Sequence, residues 1–240
     1  MGNDMKNDMG NKVRKDMEDI KCRDIIARSF PFWEHLSEEE KQRFCSDAVP
    51  AHYAGGESVH NGSDDCIGVL LVESGQLRTF MLSEDGRDIT LYRLFPGDVC
   101  ILSASCVLDT ITFDVFIDAE EDTDLVLINS AVFHQTADEN IYVKCFGYQL
   151  ATERFSDVMW AMQQILFMGA DKRLAIFLND EISKSGSSMI KMTHEQIARY
   201  MGSAREVVSR MLKYFESEGI VELSRGAITV IDRKHLRMLI

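Results

Sequence analysis

The residues specify an α+β chain in three parts: an N-terminal antiparallel β-roll of jelly-roll type, one long helix, and a C-terminal helix-turn-helix with a hairpin wing. Three observations lead there. Between Val49 and Phe133 short apolar runs are cut repeatedly by turn residues; Asp138 to Met168 runs on without a proline; and Thr193 to Gly219 contains two short helices that each carry a start signal.

Residues 1–21 are rich in Met, Asn, Asp and Lys without a sustained apolar period, which predicts a flexible leader. Asp24 to Asp47 is expected to hold one or two short helices, because Ser37 and Glu40 form a capping box ahead of Phe44. These helices would cover the strands that follow. In the strand-rich stretch, Gly75, Gly86 and Gly97 recur every eleven residues as turn positions, and Ile111, Phe113, Val115 and Ile117 alternate with Thr112, Asp114, Phe116 and Asp118. That period of two marks a half-buried strand, and many such strands make a sandwich, roll or barrel. The first domain is therefore placed at 22–137.

The helix at 138–168 is interrupted only by Gly147, and Tyr148, Ala151, Phe155, Val158, Met162 and Ile165 fall at alternating spacings of three and four. This is the a/d seam of a helix that pairs with a second copy. Packing on its own domain is the competing reading, since Trp160, Leu166 and Phe167 lie off that seam and also need cover. Gly169 followed by Asp171 marks the hinge into 169–240.

In that last domain Thr193 with Gln196 and Ser203 with Glu206 both have capping-box spacing, with Gly202 between them as a C-cap. On a wheel of about 100° per residue, Val207, Val208, Met211, Leu212 and Phe215 gather on one side of the second helix, and Arg205, Glu206, Ser209, Arg210 and Lys213 on the other. The polar set suits a major groove: Arg forks onto guanine O6 and N7, Glu accepts from cytosine N4, and Ser adapts to either sense. Glu206 is thus claimed both as a cap and as a base reader. Ile220 to Ile231 alternates about Ser224-Arg225-Gly226, a hairpin placed like a wing.

From Lys191 to Val230 the chain resembles the DNA-binding domain of the Crp/Fnr superfamily of bacterial transcription regulators, whose recognition-helix signature stands here as Arg205-Glu206-Val207-Val208-Ser209-Arg210. Gly55-Gly56-Glu57, Ser74-Gly75-Gln76-Leu77-Arg78 and Phe95-Pro96-Gly97-Asp98 are similar to landmarks of that family's sensor domain, a β-roll shared with cyclic-nucleotide-binding proteins. The resemblance implies that Glu206, Ser209 and Arg210 read bases, that Arg205 meets a base edge or a phosphate, and that Lys213, Thr193 and Ser203 lie beside them on DNA. It also implies a homodimer on a palindromic operator of double-stranded DNA with half-sites like TGTGA or TTGAT, RNA polymerase as a partner, and a small-molecule or redox effector.

Charge agrees with this division. The chain carries a net charge of −13, yet residues 171–240 hold 12 Lys+Arg against 9 Asp+Glu, so a phosphate-facing surface belongs in the C-terminal third. No apolar run approaches the roughly 20 residues of a membrane span, and no signal-peptide pattern opens the chain, so the expected location is the cytoplasm. The effector is not legible. A cyclic-nucleotide sensor pairs an Arg with the ligand phosphate, but there is no Arg from Leu94 to Glu153. Cys100, Ser103, Ser105 and Cys106 occupy the stretch where the resemblance puts the effector; a thiol, metal or haem role competes there with plain packing. Cys22 alone represents the N-terminal cysteine cluster of an Fnr-type iron–sulfur sensor. The six histidines have no metalloenzyme spacing, and there is no G-x-S-x-G or P-loop pattern. The alternative of another class is an enzymatic or ligand-binding β-roll with an accessory helical domain.

Overall fold

The computed structural model describes residues 23–62, 67–84, 86, 88–101 and 114–240. Its described residues form two compact units: the first runs to Thr79 and resumes from Arg93 to Phe155, and the second takes Phe80–Tyr92 and Ser156–Ile240. The leader at 1–21, the alternating residues Ile111 to Phe113, and Cys22, Ser103, Ser105 and Cys106 lie outside the described residues.

The first unit opens with helical residues 23–29, a 3-10 turn at Trp33–His35 and helix α1, Glu38–Ser46. The capping box at the start of α1 is present: Ser37 Oγ accepts from Glu40 N, and Glu40 Oε2 accepts from Ser37 N at 2.6 Å. One sheet has the order β1 (Ala48–Tyr53), β8 (Thr123–Ile128), β3 (Val69–Ser74), β6 (Val99–Cys100). The other has the order β2 (Ser58–Asn61), β7 (Phe116–Ala119), β4 (Leu77–Leu82), β5 (Asp88–Leu94). Pro50, which has no N–H to give a ladder, sits in β1 at a sheet edge, where such a residue is tolerated. The expected alternation holds as far as it is described, with Val115 and Ile117 buried and Asp114 exposed.

Of the three evenly spaced glycines, Gly75 shows the clearest need. Its φ is 83°, and a Cβ there would collide with Thr123 Oγ1 and the carbonyl of Asp122. At Phe95-Pro96-Gly97-Asp98 the Asp98 carboxylate accepts from Phe95 N at 2.8 Å and closes the turn.

Helix α2, Ser130–Glu139, follows β8, so the strand-rich stretch ends at Ile128 rather than Phe133. Phe133 instead joins Phe30, Phe32 and Phe44 in an aromatic core over Leu71, Val126 and Ile128. The long helix α3 spans Ile141–Phe167. Asp138 and Glu139 belong to α2, because Asn140 leaves the helical region (φ −130°, ψ 114°) and ends it. Gly147 does not interrupt α3; it is buried close to Phe133 and Ile101.

In the second unit α4 (Ala170–Ser185), α5 (His194–Met201) and α6 (Arg205–Ser217) pack around Leu174, Leu178, Ile197, Val208, Leu212 and Phe215. A three-stranded sheet adds β10 (Val221–Ser224), β11 (Ala227–Val230) and β9 (Met189–Ile190) in that order, and α7 (Arg233–Met238) follows. Val221 pairs with Val230 and Ser224 with Ala227, leaving Arg225-Gly226 as the two-residue turn of the wing.

Candidate nucleic-acid interface

Two helix ends fix the geometry of the C-terminal motif. At the start of α5, Thr193 Oγ1 accepts from Gln196 N at 3.1 Å and Gln196 Oε1 accepts from Thr193 N at 2.8 Å, the reciprocal box expected of this pair. At its end Gly202 adopts the left-handed conformation (φ 56°, ψ 47°), with Ser203 N donating to the Ala198 carbonyl and Gly202 N to that of Arg199. This Schellman arrangement turns the chain sharply into α6.

The second expected box is not formed. Helix α6 is capped at Ala204, with no side-chain cap, while the Ser203 N–H is used to close α5. Glu206 is therefore released from the competition between capping and reading; it is exposed in the first turn, where a carboxylate suits the positive end of the helix dipole. Val208, Leu212 and Phe215 are fully buried and Val207 and Met211 partly so, whereas Arg205, Glu206, Arg210 and Lys213 are exposed and Ser209 is half-buried. Glu216 ties α6 to the wing by accepting from Leu223 N at 3.2 Å. Arg205 Nη1 lies 4.0 Å from Glu195 Oε2, an exposed pair of little energetic weight.

Sequence reasoning missed His194. Its Nδ1 lies 2.8 Å from Ser209 Oγ, joining the first residue of α5 to the middle of α6. Burial, then the positive charges of Arg205 and Lys213, hold the His194 imidazole below its ordinary pKa. A cleft of about 400 Å³ opens beside it, lined by Glu195, Arg205, Ser224 and Gly226 among others. Only the fold could place the wing turn and both helix starts around one opening. The same unit also ties β5 to α5, since Thr90 Oγ1 donates to the Arg199 carbonyl at 3.2 Å and Asp88 lies 4.0 Å from the Arg199 guanidinium.

The other sequence-derived sets are only partly gathered. Cys100 is fully buried on β6 opposite Leu70. Among the described residues no group of three or more His, Cys, Asp or Glu is arranged to hold a metal ion. On α3, Tyr148, Phe155 and Met162 are exposed, but Ala151, Val158 and Ile165 are half-buried. For Ile165 the reason is visible: its Cδ1 would lie 3.3 Å from a Cβ placed on Gly202. No helix among the described residues is long and apolar enough to cross a membrane.

Residues 172–239 match the model of the Crp-like helix-turn-helix domain. The crystal structure of a protein from Eubacterium rectale assigned to the Crp/Fnr family of transcriptional regulators superimposes with a TM-score of 0.84 at 47% identity, over 88% of this chain and 98% of that one. The transcriptional activator protein FnrA of Stutzerimonas stutzeri is 28% identical over 74% of each chain. The cyclic AMP receptor protein of Thermus thermophilus is 25% identical over 83% of this chain and 92% of its own. These relatives are transcription factors, which removes the enzymatic alternative. With a helix-turn-helix whose second helix offers Arg205, Glu206 and Arg210 to solvent, and with likeness running through both units, the chain belongs to the Crp/Fnr family of transcription regulators.

Proposed function

We propose that two copies of the chain pair along α3 and lay their α6 helices in successive major-groove faces of a palindromic operator, about 34 Å apart. The observation that carries this reading is the exposed face of α6, where two arginines, a lysine and an uncommitted Glu206 stand on a rigid, well-packed helix. Glu206, Ser209 and Arg210 read base edges, Arg205 meets a base edge or phosphate, Lys213 takes a phosphate, and Thr193 and Ser203 flank them at the two helix starts.

The pairing surface follows from exposure. Ile141, Cys145, Tyr148, Thr152, Phe155, Met159, Met162 and Leu166 are all exposed and recur at alternating spacings of four and three, a continuous seam. It retains Tyr148, Phe155 and Met162 from the sequence-derived seam and replaces Ala151, Val158 and Ile165 by their C-terminal neighbours. A signal enters at the β-roll, where Cys100 and the neighbouring Ser103, Ser105 and Cys106 are the candidate contacts, and it alters the spacing of the two reading helices. RNA polymerase is the expected partner at the promoter.

Site selection from random duplexes, followed by light scattering of the complex, tests this. Two chains per duplex and a selected inverted repeat support the reading; a single chain bound to an asymmetric site contradicts it. Aerobic and anaerobic preparations compared by absorption spectrum and elemental analysis identify haem, iron–sulfur or metal as the signal.

A further inference from the structure

Ser209 alone is an ambiguous reader, because a hydroxyl donates or accepts as its neighbour requires. Here the hydroxyl is not alone. His194 Nδ1 lies 2.8 Å from Ser209 Oγ, and the histidine is held in place because it directly follows Thr193, whose capping box with Gln196 fixes the start of α5. We infer that His194 is a specificity-determining positioning residue: by its hydrogen bond it fixes which hydrogen-bonding sense the Ser209 hydroxyl offers to a base. The inference rests on the reading of α6 as the base-reading helix.

The chemistry is a matter of tautomers. When Nδ1 carries the imidazole hydrogen it donates to Ser209 Oγ, and the serine hydrogen is free to point at a base acceptor such as guanine O6 or N7 or thymine O4. When Nδ1 is bare it accepts the serine hydrogen, and Ser209 presents only lone pairs, which suit the amino groups of adenine or cytosine. The bare state leaves Ser209 an acceptor only, while the other leaves it the hydrogen and one lone pair in a fixed orientation, so one position of the half-site owes its preference to a residue that need not touch DNA. His194 and Arg205 both line the cleft between α5, α6 and the wing.

The test is site selection with wild type, His194→Ala, His194→Asn, Ser209→Ala, the His194→Ala/Ser209→Ala pair and Arg210→Ala. Thermal melts establish that each variant is folded. His194→Ala is expected to lose about fivefold of the discrimination at one base position per half-site, the worth of one neutral hydrogen bond, without changing preference elsewhere. The double variant should show no further loss beyond Ser209→Ala. His194→Asn, which sets an amide near the place of Nδ1, should restore a preference at that position, whereas a packing role would not be rescued in this selective way. An unchanged preference in His194→Ala, with Arg210→Ala still losing its own base, overturns the inference and leaves the reading helix intact. If neither variant changes any base preference, the reading of α6 itself fails.

Discussion

The contrast between Phe155→Ala and Ile165→Ala separates the proposed pairing surface from the one drawn by periodicity alone. Phe155 is 65% exposed in the single chain. A phenylalanine buries about 200 Å² in a well-packed contact, so roughly 100 Å² of apolar surface is lost on truncation, or about 2.5 kcal/mol per copy. Two copies face each other in a symmetric dimer, and about 5 kcal/mol corresponds to more than a thousandfold in the dissociation constant. Ile165→Ala is the contrasting variant. Ile165 is half-buried and lies against the Gly202 turn within its own unit, so its truncation should lower the melting temperature of that unit and leave association nearly unchanged. Sedimentation equilibrium over nanomolar to micromolar protein, together with thermal melts, reads both effects. Wild type found as a monomer at micromolar concentration, or dissociation caused by Ile165→Ala but not by Phe155→Ala, would refute the reasoning.

Three further outcomes follow from the geometry. Gly202→Ala forces a Cβ into the left-handed conformation (φ 56°) and towards Ile165, so denaturant unfolding should show a loss of about 1–2 kcal/mol. Cyclic AMP and cyclic GMP should bind no more tightly than about millimolar by calorimetry, because Leu94 to Glu153 has no arginine to pair with the phosphate; micromolar binding would mean that an arginine such as Arg78 on β4 reaches the ligand. His194 and His52 should show pKa values shifted in opposite directions by NMR. His194, depressed by burial and by Arg205 and Lys213, binds its proton less readily folded than unfolded, so its contribution to stability is present at pH 7 and is lost as the pH falls below about 6.5. His52, raised by its hydrogen bond to Asp124, contributes stability in acid that disappears as the pH rises through its raised folded value.

Much of the C-terminal unit was legible because local chemistry decides it. The Thr193–Gln196 box, the Gly202 cap and the Arg225-Gly226 turn are short-range devices that need no knowledge of distant residues. The Ser203–Glu206 box failed for the same kind of reason, since the backbone of Ser203 is already spent on closing α5 and the cap moves to Ala204. Long-range packing was not legible. Periodicity revealed that α3 has an apolar stripe but not that Ala151, Val158 and Ile165 on it are half-buried in the single chain. The His194–Ser209 bond joins residues fifteen apart on two helices and left no mark in spacing or composition.

The central claim, that α6 reads bases, stands or falls on Arg210. Wild type, Arg210→Ala and Lys213→Ala are to be titrated on the selected duplex and on a scrambled one at two salt concentrations. A lost bidentate arginine contact costs about 1–3 kcal/mol per half-site, so Arg210→Ala should weaken binding to the selected duplex at least about tenfold while changing the scrambled duplex little. Lys213→Ala should weaken both alike and make the salt dependence shallower by about one unit per contact. Equal loss on both duplexes for Arg210→Ala would make Arg210 a backbone contact and contradict the assignment of base reading to this face of α6.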